Sequence, residues 1–289
     1  MKILFIINQA SGNNTTNWQS FIEDYFRDKD HPIKIINLDG LFSVDGLKKE
    51  IAGFDPQRVI AVGGDGTVKL VASCLLQSAI PLGILPAGSA NGMAKELGIP
   101  TDTTAALDLA LNGHIKSIHL VKINEELCIH LGDIGFNAFV IKKFETQAHR
   151  GMWGYIKASW KVLWEQPRMM VELHVNDTIV KKSAAMIVIA NATRYGSGAI
   201  INPGGDLSDE LFEVIVVKKI SISEIYKMMV THLSYDPAKT EVYQVRSLHI
   251  KSRIKAHFQV DGEYLGKIKE VNASLIPAAI NMIIPGPAS

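Results

Sequence analysis

Arg58-Val59-Ile60-Ala61-Val62-Gly63-Gly64-Asp65-Gly66-Thr67 decides how this chain is read. An apolar run leads into a glycine-rich turn. Beyond it, Val68, Val71, Ala72, Leu75 and Leu76 fall at i, i+3, i+4, i+7 and i+8, the stripe of an amphipathic helix. The reading is buried strand, turn, helix. Such a corner aims backbone N–H groups and a positive helix end at whatever lies above it, and phosphate suits that place. Glycine lets backbone approach a ligand closely. The alternative is a tight corner with no ligand, and a short glycine motif alone does not decide between them. Asp65 is the odd feature, because a carboxylate repels phosphate unless it binds a metal, caps a helix or takes up a proton. It is either a cap or a participant in metal-assisted phosphoryl chemistry. Two phosphate motifs are excluded. No Gly-x4-Gly-Lys-Ser/Thr occurs, and Lys69 stands where the third glycine of a dinucleotide fingerprint belongs.

Outward from this corner, strand and helix alternate. Lys2 to Ile7 reads as a first strand, Trp18 to Phe26 as a helix, Ile33 to Ile36 as a strand and Val44 to Ile51 as a helix. After the corner, Pro81 to Pro86 is a strand and Thr103 to Leu111 a helix. This pattern indicates a parallel α/β sheet, in which ligands collect at the carboxyl ends of the strands. Small-residue turns at 8–14, 63–67 and 87–92 are expected to share that edge. After about Ile118 strand-like runs dominate: Val121 to Ile123, Leu127 to Leu131, Met169 to Val175, Ala184 to Ala190, Leu211 to Val217, Val242 to Ile250, Ile254 to Val260 and Glu270 to Leu275. Helical stretches interrupt near Trp153 to Trp164 and Ser223 to Thr231. A β-rich second domain, a sandwich, is expected. The expected division is 1–118 as the α/β nucleotide-binding domain, rejoined by 278–289, and 119–277 as the β-sandwich.

The 289 residues fit two domains at the soft prior of about 150 each. A net charge of +1 provides no global basic field, so nucleic acid is not expected as a partner. Cys74 and Cys128 lack metal spacing and read as small core residues. The apolar run after Met1-Lys2 is too short for a signal-peptide core, and no run approaches 18 apolar residues. The expectation is a soluble cytoplasmic protein.

Gly63-Gly64-Asp65-Gly66-Thr67, followed by Leu82-Gly83-Ile84-Leu85-Pro86-Ala87-Gly88-Ser89-Ala90-Asn91, resembles the diacylglycerol kinase catalytic domain, and the whole chain is similar to the small bacterial lipid kinases of that family. The resemblance continues through Asn8-Gln9-Ala10-Ser11-Gly12, Gly135-Phe136, Gly154-Tyr155, Asn191 to Gly198 and Asp261-Gly262-Glu263. Several blocks in order are far more specific than one. The resemblance implies a nucleotide domain related to NAD kinase, a β-sandwich lipid domain, and transfer of phosphate from ATP with Mg²⁺ to a hydroxyl of diacylglycerol or a related lipid alcohol. Asn8, Ser11, Gly12, Gly63, Gly64, Asp65, Gly66, Thr67, Lys69, Gly88, Ser89 and Asn91 are the implied nucleotide residues. Phosphoryl transfer needs positioning and charge neutralisation more than covalent chemistry. Asp261-Gly262-Glu263 alone reads as a hairpin turn. The resemblance makes it the proton acceptor, with Glu263 first and Asp261 second, beside Asp65 as a catalytic acid residue. Gly204 to Leu211 alone reads as a solvated acidic turn. The resemblance implies a structural Mg²⁺ on Asp206, Asp209 and the carbonyl of Leu211, ligands that suit a hard cation. The expected partners are the lipid substrate, a membrane touched peripherally at its inner face, and a second copy of the chain.

The chain also departs from the pattern. Lys69 and Leu70 stand where the family has Asn-Glu, Gly92 where an aspartate often follows the asparagine, and His119 at a further acidic position. Lys69 either brings a cation to the phosphates or is a solvated helix residue. These departures motivate a second reading, a nucleotide- or lipid-binding member that has lost catalysis. A third, an NAD kinase-like enzyme, lacks that family's neighbouring Asn-Glu/Asp motif. Ile156, Trp160, Leu163 and Trp164 line one helical face, flanked by Lys142, Lys143, Lys157, Lys161 and Arg168. The face is either core or an acyl-chain groove near a membrane.

Overall fold

A computed structural model of the chain describes residues 1–12, 16–38, 43–135, 138, 168–176, 178–195, 199–219 and 236–286. The tryptophan-bearing segment, Phe136, Gly154-Tyr155, Asn13-Asn14, residues 196–198 and the expected helix at 223–231 lie outside the described residues. The chain forms two compact units, Met1–His119 with Pro277–Ser289, and Leu120–Tyr195 with Ala199–Ile276.

In the first unit, β1 (Ile3–Ile7) pairs in parallel with β2 (Ile33–Asn37) and β3 (Arg58–Gly63), and β3 pairs in parallel with β4 (Leu82–Pro86). All five residues of β1 are buried, as expected of a central parallel strand covered on both faces. Helices α1 (Trp18–Phe26), α2 (Val44–Phe54), α3 (Asp65–Cys74), α4 (Gly92–Glu96) and α5 (Thr103–Asn112) connect the strands. Side-chain caps start three of them. Asn17 accepts from Ser20 N–H, Ser43 from Gly46 N–H and Asp102 from Ala105 N–H. The end of α3 corrects the sequence reading. Leu76 does not extend the apolar stripe but is 38% exposed, because the helix stops at Cys74 and Gln77 turns left-handed at φ 58°. The last part of β16 (Glu263–Ile284) re-enters this unit. Met282 pairs with Leu82 in parallel, Gln77 N–H donates to the Ala279 carbonyl at 2.8 Å, and Ile280, Met282 and Ile283 are buried.

The second unit is antiparallel and sandwich-like. The end of β5 (His114–Ile123) pairs with β6 (Glu126–Cys128). One run of strands is β14 (Thr240–Val245), β13 (Phe212–Val217), β10 (Met186–Ala190), β7 (Leu131–Gly135) and the end of β15 (Ser247–Val260). Another is β9 (Thr178–Ala184), β8 (Met169–Val175), the start of β15, and β16. A short pair, β11 (Arg194–Tyr195) with β12 (Ala199–Ile200), completes it. Val171, Leu173, Ile187, Phe212, Val214, Ile250 and Val271 share one apolar core. Two expected strands are each divided. Leu127 to Leu131 breaks because Asp261 takes the N–H groups of Ile129 and His130, so the ladder cannot continue through them. Val242 to Ile250 breaks at Arg246, where the chain leaves β13 (Val245 opposite Phe212) for β16 (Ser247 opposite Ser274). Strand β9 was not expected. Among the described residues no helix is long and apolar enough to cross a membrane.

Candidate active site

The strand order β2-β1-β3-β4 places a reversal between β1 and β3, and a crevice for ligands opens outside the carboxyl ends at such a point. Asn8 and Gly64 stand there. Asn8 N–H donates to the Val62 carbonyl at 2.9 Å, and its side chain donates to Thr67 Oγ1 at 3.2 Å. The same side chain accepts from Ala10 N–H at 3.2 Å, which folds the first loop back on itself. Thr67 is buried at 3% exposure and sits against Gly63, where a Cβ would lie 2.3 Å from Oγ1. The third turn closes on the second. Ala87 N–H donates to the Gly63 carbonyl at 3.0 Å, and a Cβ on Gly88 would lie 2.4 Å from Gly64 Cα. Gly12 meets the same wall, at φ 68° with its Cβ position 2.9 Å from the Ala87 carbonyl oxygen. The loops 8–12, 63–67 and 87–92 therefore pack backbone against backbone, and only glycine fits at the contacts.

Asn91 and Asp65 also serve the backbone. Asn91, left-handed at φ 50°, closes a ring with Gly88. Its Oδ1 accepts from Gly88 N–H and its Nδ2 donates to the Gly88 carbonyl, both at 2.8 Å. Asp65 accepts from Gly92 N–H and Met93 N–H, each at 2.9 Å. It thus caps the start of α4 from the start of α3, and Gly92, a departure from the family pattern, is one of the two donors. Ser11 is half-buried, Ser89 and Gly66 are exposed, and Lys69 is half-buried on α3. His119 accepts from Ala278 N–H at its Nδ1, 3.0 Å, so it bonds to the returning strand.

In the second unit, Asp261 (φ 51°) and Gly262 (φ 87°) form the two-residue left-handed turn between β15 and β16, with Val260 opposite Glu263. Asp261 is bound to the structure from all sides. Its carboxylate accepts from Ile129 N–H at 3.1 Å and His130 N–H at 2.9 Å, and its own N–H donates to the Leu131 carbonyl at 2.9 Å. Glu263 is exposed. Beneath the turn lies a network the sequence reading missed. Gln259 is fully buried and Asp133 is 1% exposed. Asp133 accepts from the Gln259 amide and from Ala138 N–H (2.8 Å), and Gln259 Oε1 accepts from Gly262 N–H at 2.7 Å. Asp133 inside the apolar strand β7, and Gln259 between the apolar Phe258 and Val260 at the end of β15, were the available signal. Buried polar groups are kept when bonded, and here they fix the turn that presents Glu263.

The acidic stretch is a chain of local turns. Asp206 Oδ1 accepts from Ser208 N–H (2.9 Å) and Ser208 Oγ (2.6 Å), and Asp209 Oδ1 from Leu211 N–H (3.1 Å). Glu213, 3% exposed, receives Asn202 Nδ2 at 2.5 Å and Gln244 Nε2 at 3.1 Å, anchoring the stretch to β13. Its oxygens all suit a hard cation. No three His, Cys, Asp or Glu side chains gather as a metal cluster among the described residues, so an ion here would draw on two carboxylates, carbonyls and water.

Two family models match in chain order. Residues 2–123 match the diacylglycerol kinase catalytic domain, and residues 133–284 the YegS C-terminal NAD kinase beta sandwich-like domain. An uncharacterised protein of Synechocystis is 28% identical over 78% of this chain, which spans 54% of that protein's length. A diacylglycerol kinase of Staphylococcus saprophyticus is 25% identical over 73% of this chain and 71% of its own. A Bacillus anthracis diacylglycerol kinase structure superposes with TM-score 0.76 at 18% identity, covering 98% of this chain and 96% of that one. An Archaeoglobus fulgidus NAD kinase, solved in complex with ATP, superposes with TM-score 0.55 at 14% identity over 98% and 93%. At those identities the structures speak for fold, an α/β unit and a β-sandwich related to NAD kinase. The two matched models, which together run from residue 2 to residue 284, show that this chain belongs to the diacylglycerol kinase family of lipid kinases.

Proposed function

We propose that the chain transfers the terminal phosphate of Mg²⁺-bound ATP to a hydroxyl of diacylglycerol or a related lipid alcohol. The observation that carries this reading is the glycine-only packing of the three loops at the carboxyl ends of β1, β3 and β4. It leaves a fixed floor of backbone at the mouth of a parallel sheet, where nucleotide phosphates are held without side-chain bulk. Glu263, on its braced hairpin, is the proton acceptor for the lipid hydroxyl. Asp65 holds the third loop against the second and so sets the shape of the floor. Asp206, Asp209 and the Leu211 carbonyl would hold a structural Mg²⁺, which would neutralise the acidic turn.

Transfer of labelled phosphate from ATP to a mixed lipid extract, with identification of the product, tests the reading. A phosphorylated lipid with wild type and none with Glu263→Gln is expected. No product with wild type would sink it. The second reading, a binding protein without turnover, draws on Lys69, Leu70, Gly92 and His119, and on Asp65 being engaged by Gly92 and Met93. ATP binding by calorimetry without turnover on any lipid would select it. NAD as acceptor tests the NAD kinase-like alternative.

A further inference from the structure

Two histidines face each other on the outer side of the second unit's sheet. His174 on β8 and His249 on β15 stand directly opposite in the antiparallel register. Alternation sends their neighbours Leu173, Val175, Leu248 and Ile250 into the apolar core and leaves both imidazoles half-buried on the other face. The ring centroids are 5.0 Å apart, with the planes inclined by 46°. Glu270 on β16, exposed and diagonal to His249, brings a carboxylate oxygen to 3.9 Å from His249 Nε2. That gap is too wide for a hydrogen bond. It is close to the separation that a shared ion sets. Bonds of about 2.0–2.2 Å from Zn²⁺ to nitrogen and oxygen hold the two ligand atoms roughly 3.3–3.5 Å apart at a tetrahedral angle.

Charge does not oppose a cation here. In the next row Lys181, Glu172, Lys251 and Glu270 alternate in sign and cancel, and Glu172 pairs with Lys181 at 3.3 Å. The row of the histidines, Ile179, His174, His249 and Asn272, holds no acid or lysine. The place in the fold also matters. Strand β8 joins β15 through four register pairs, of which His174 with His249 is the last, and β9 joins β8.

We propose that His174 and His249 chelate one divalent transition ion of the Zn²⁺, Ni²⁺ or Cu²⁺ kind, and that the ion staples the β8–β9 hairpin to its sheet. The three side chains do not already close on one point. The imidazole pair is the anchor, the exposed Glu270 swings in as third ligand, and water completes the shell. Imidazole nitrogen suits these ions, whereas Mg²⁺ and Ca²⁺ seek oxygen. The site therefore differs in residues and in chemistry from the acidic turn at 206–211, and it does not rest on the kinase reading.

The test is calorimetric titration of the chelator-treated full chain with ZnCl₂ in excess Mg²⁺, beside melting with and without Zn²⁺. One bound equivalent and a raised melting temperature are expected, because an ion held by the folded state stabilises it. His174→Gln and His249→Gln should each lose at least the roughly 10–100-fold in affinity that removal of an outer-shell partner costs. Glu270→Gln should lose less than either. Lys251→Gln removes the cation opposite Glu270 and should tighten binding. All four variants should melt as wild type does in chelator. Cu²⁺ in place of Zn²⁺ should give the paramagnetic resonance pattern of two imidazole nitrogens, and of one in either histidine variant. Zn²⁺ uptake unchanged in the folded His174→Gln/His249→Gln double variant overturns the proposal, as does wild type that takes up no Zn²⁺. Asp206→Asn should bind Zn²⁺ like wild type. Loss of uptake there would move the ion to the acidic turn and overturn the assignment as well. Turnover enters none of these outcomes, so their failure leaves the kinase reading where it stands.

Discussion

Gly88 has no room for one more carbon, since the nearest atom to its missing Cβ is the Gly64 Cα at 2.4 Å. Gly88→Ala must therefore push the third loop off the second. It should cost about 1–3 kcal/mol of stability by denaturant titration, and weaken ATP binding by calorimetry more than tenfold. Wild-type ATP affinity in that variant would reject the floor as the nucleotide site. Asp261 and Glu263 should separate cleanly, because one is bound to backbone and the other is exposed. Glu263→Gln should abolish turnover while moving stability by less than about 0.5 kcal/mol. Asp261→Asn puts an N–H donor where two N–H groups now donate, and should cost about 1–3 kcal/mol. If the two variants lose turnover with equal loss of stability, Glu263 is no more a base than its neighbour. The glycines, Asp65, Asn91 and the Asp-Gly-Glu turn were legible in the sequence because each lies in a short local motif. What Asp65 and Asp261 hold was not legible. Their donors lie 27 and 131 residues away at Gly92 and His130, and pairing at that separation leaves no local periodicity to read.

Helix α4 has five residues and little stability of its own, so the Asp65 cap should matter to it. Asp65→Asn keeps the shape and loses the charge. It should cost on the order of 1 kcal/mol and speed hydrogen exchange at Gly92 and Met93 above other amides. In the second unit, strands β9 and β14 are joined by charge. Glu241 receives Lys182 at 2.8 Å, Lys218 at 2.6 Å and the Tyr243 hydroxyl at 2.6 Å, and these bonds hold its carboxyl down at about 2 from an ordinary 4.5. Because the folded value is the lower one, the stabilisation is complete above 4.5 and is lost as pH falls from there through about 2. Glu241→Gln should flatten that acid limb of the melting-temperature profile and cost roughly 1–2 kcal/mol at neutral pH, between the exposed and buried ranges for ion pairs. Elements with strong periodicity were legible, such as β1, α1 and β8. Strand β9, with Lys181 and Lys182 in its middle, was not. It lies at the end of its run of strands with much of its surface in water, so no hydrophobic pattern announces it.

The first unit is not a contiguous stretch of chain. Residues 1–119 lack their last strand until residues 277–284 return beside β4, where Ile283 lies against both Gly83 and Gly113. A fragment ending at 119 should therefore aggregate. Addition of a peptide spanning 277–286, or its fusion after 119, should restore a cooperative melt. A soluble, cooperatively folded 1–119 fragment would contradict that dependence. The change of character near 118 was legible as a shift from alternating strand and helix to strand after strand. The return of the tail was visible only as an apolar run, because a run does not name its partner. The returning strand also sets a schedule for synthesis. A ribosome adding about 5–20 residues per second needs on the order of 10–30 s to travel from the end of the first segment to the strand that completes it. During that interval the outer edge of β4 is open to any passing strand, while the second unit emerges with its own core. The half of the protein made first is thus the half finished last, and it should lean on chaperones during translation more than its sandwich does.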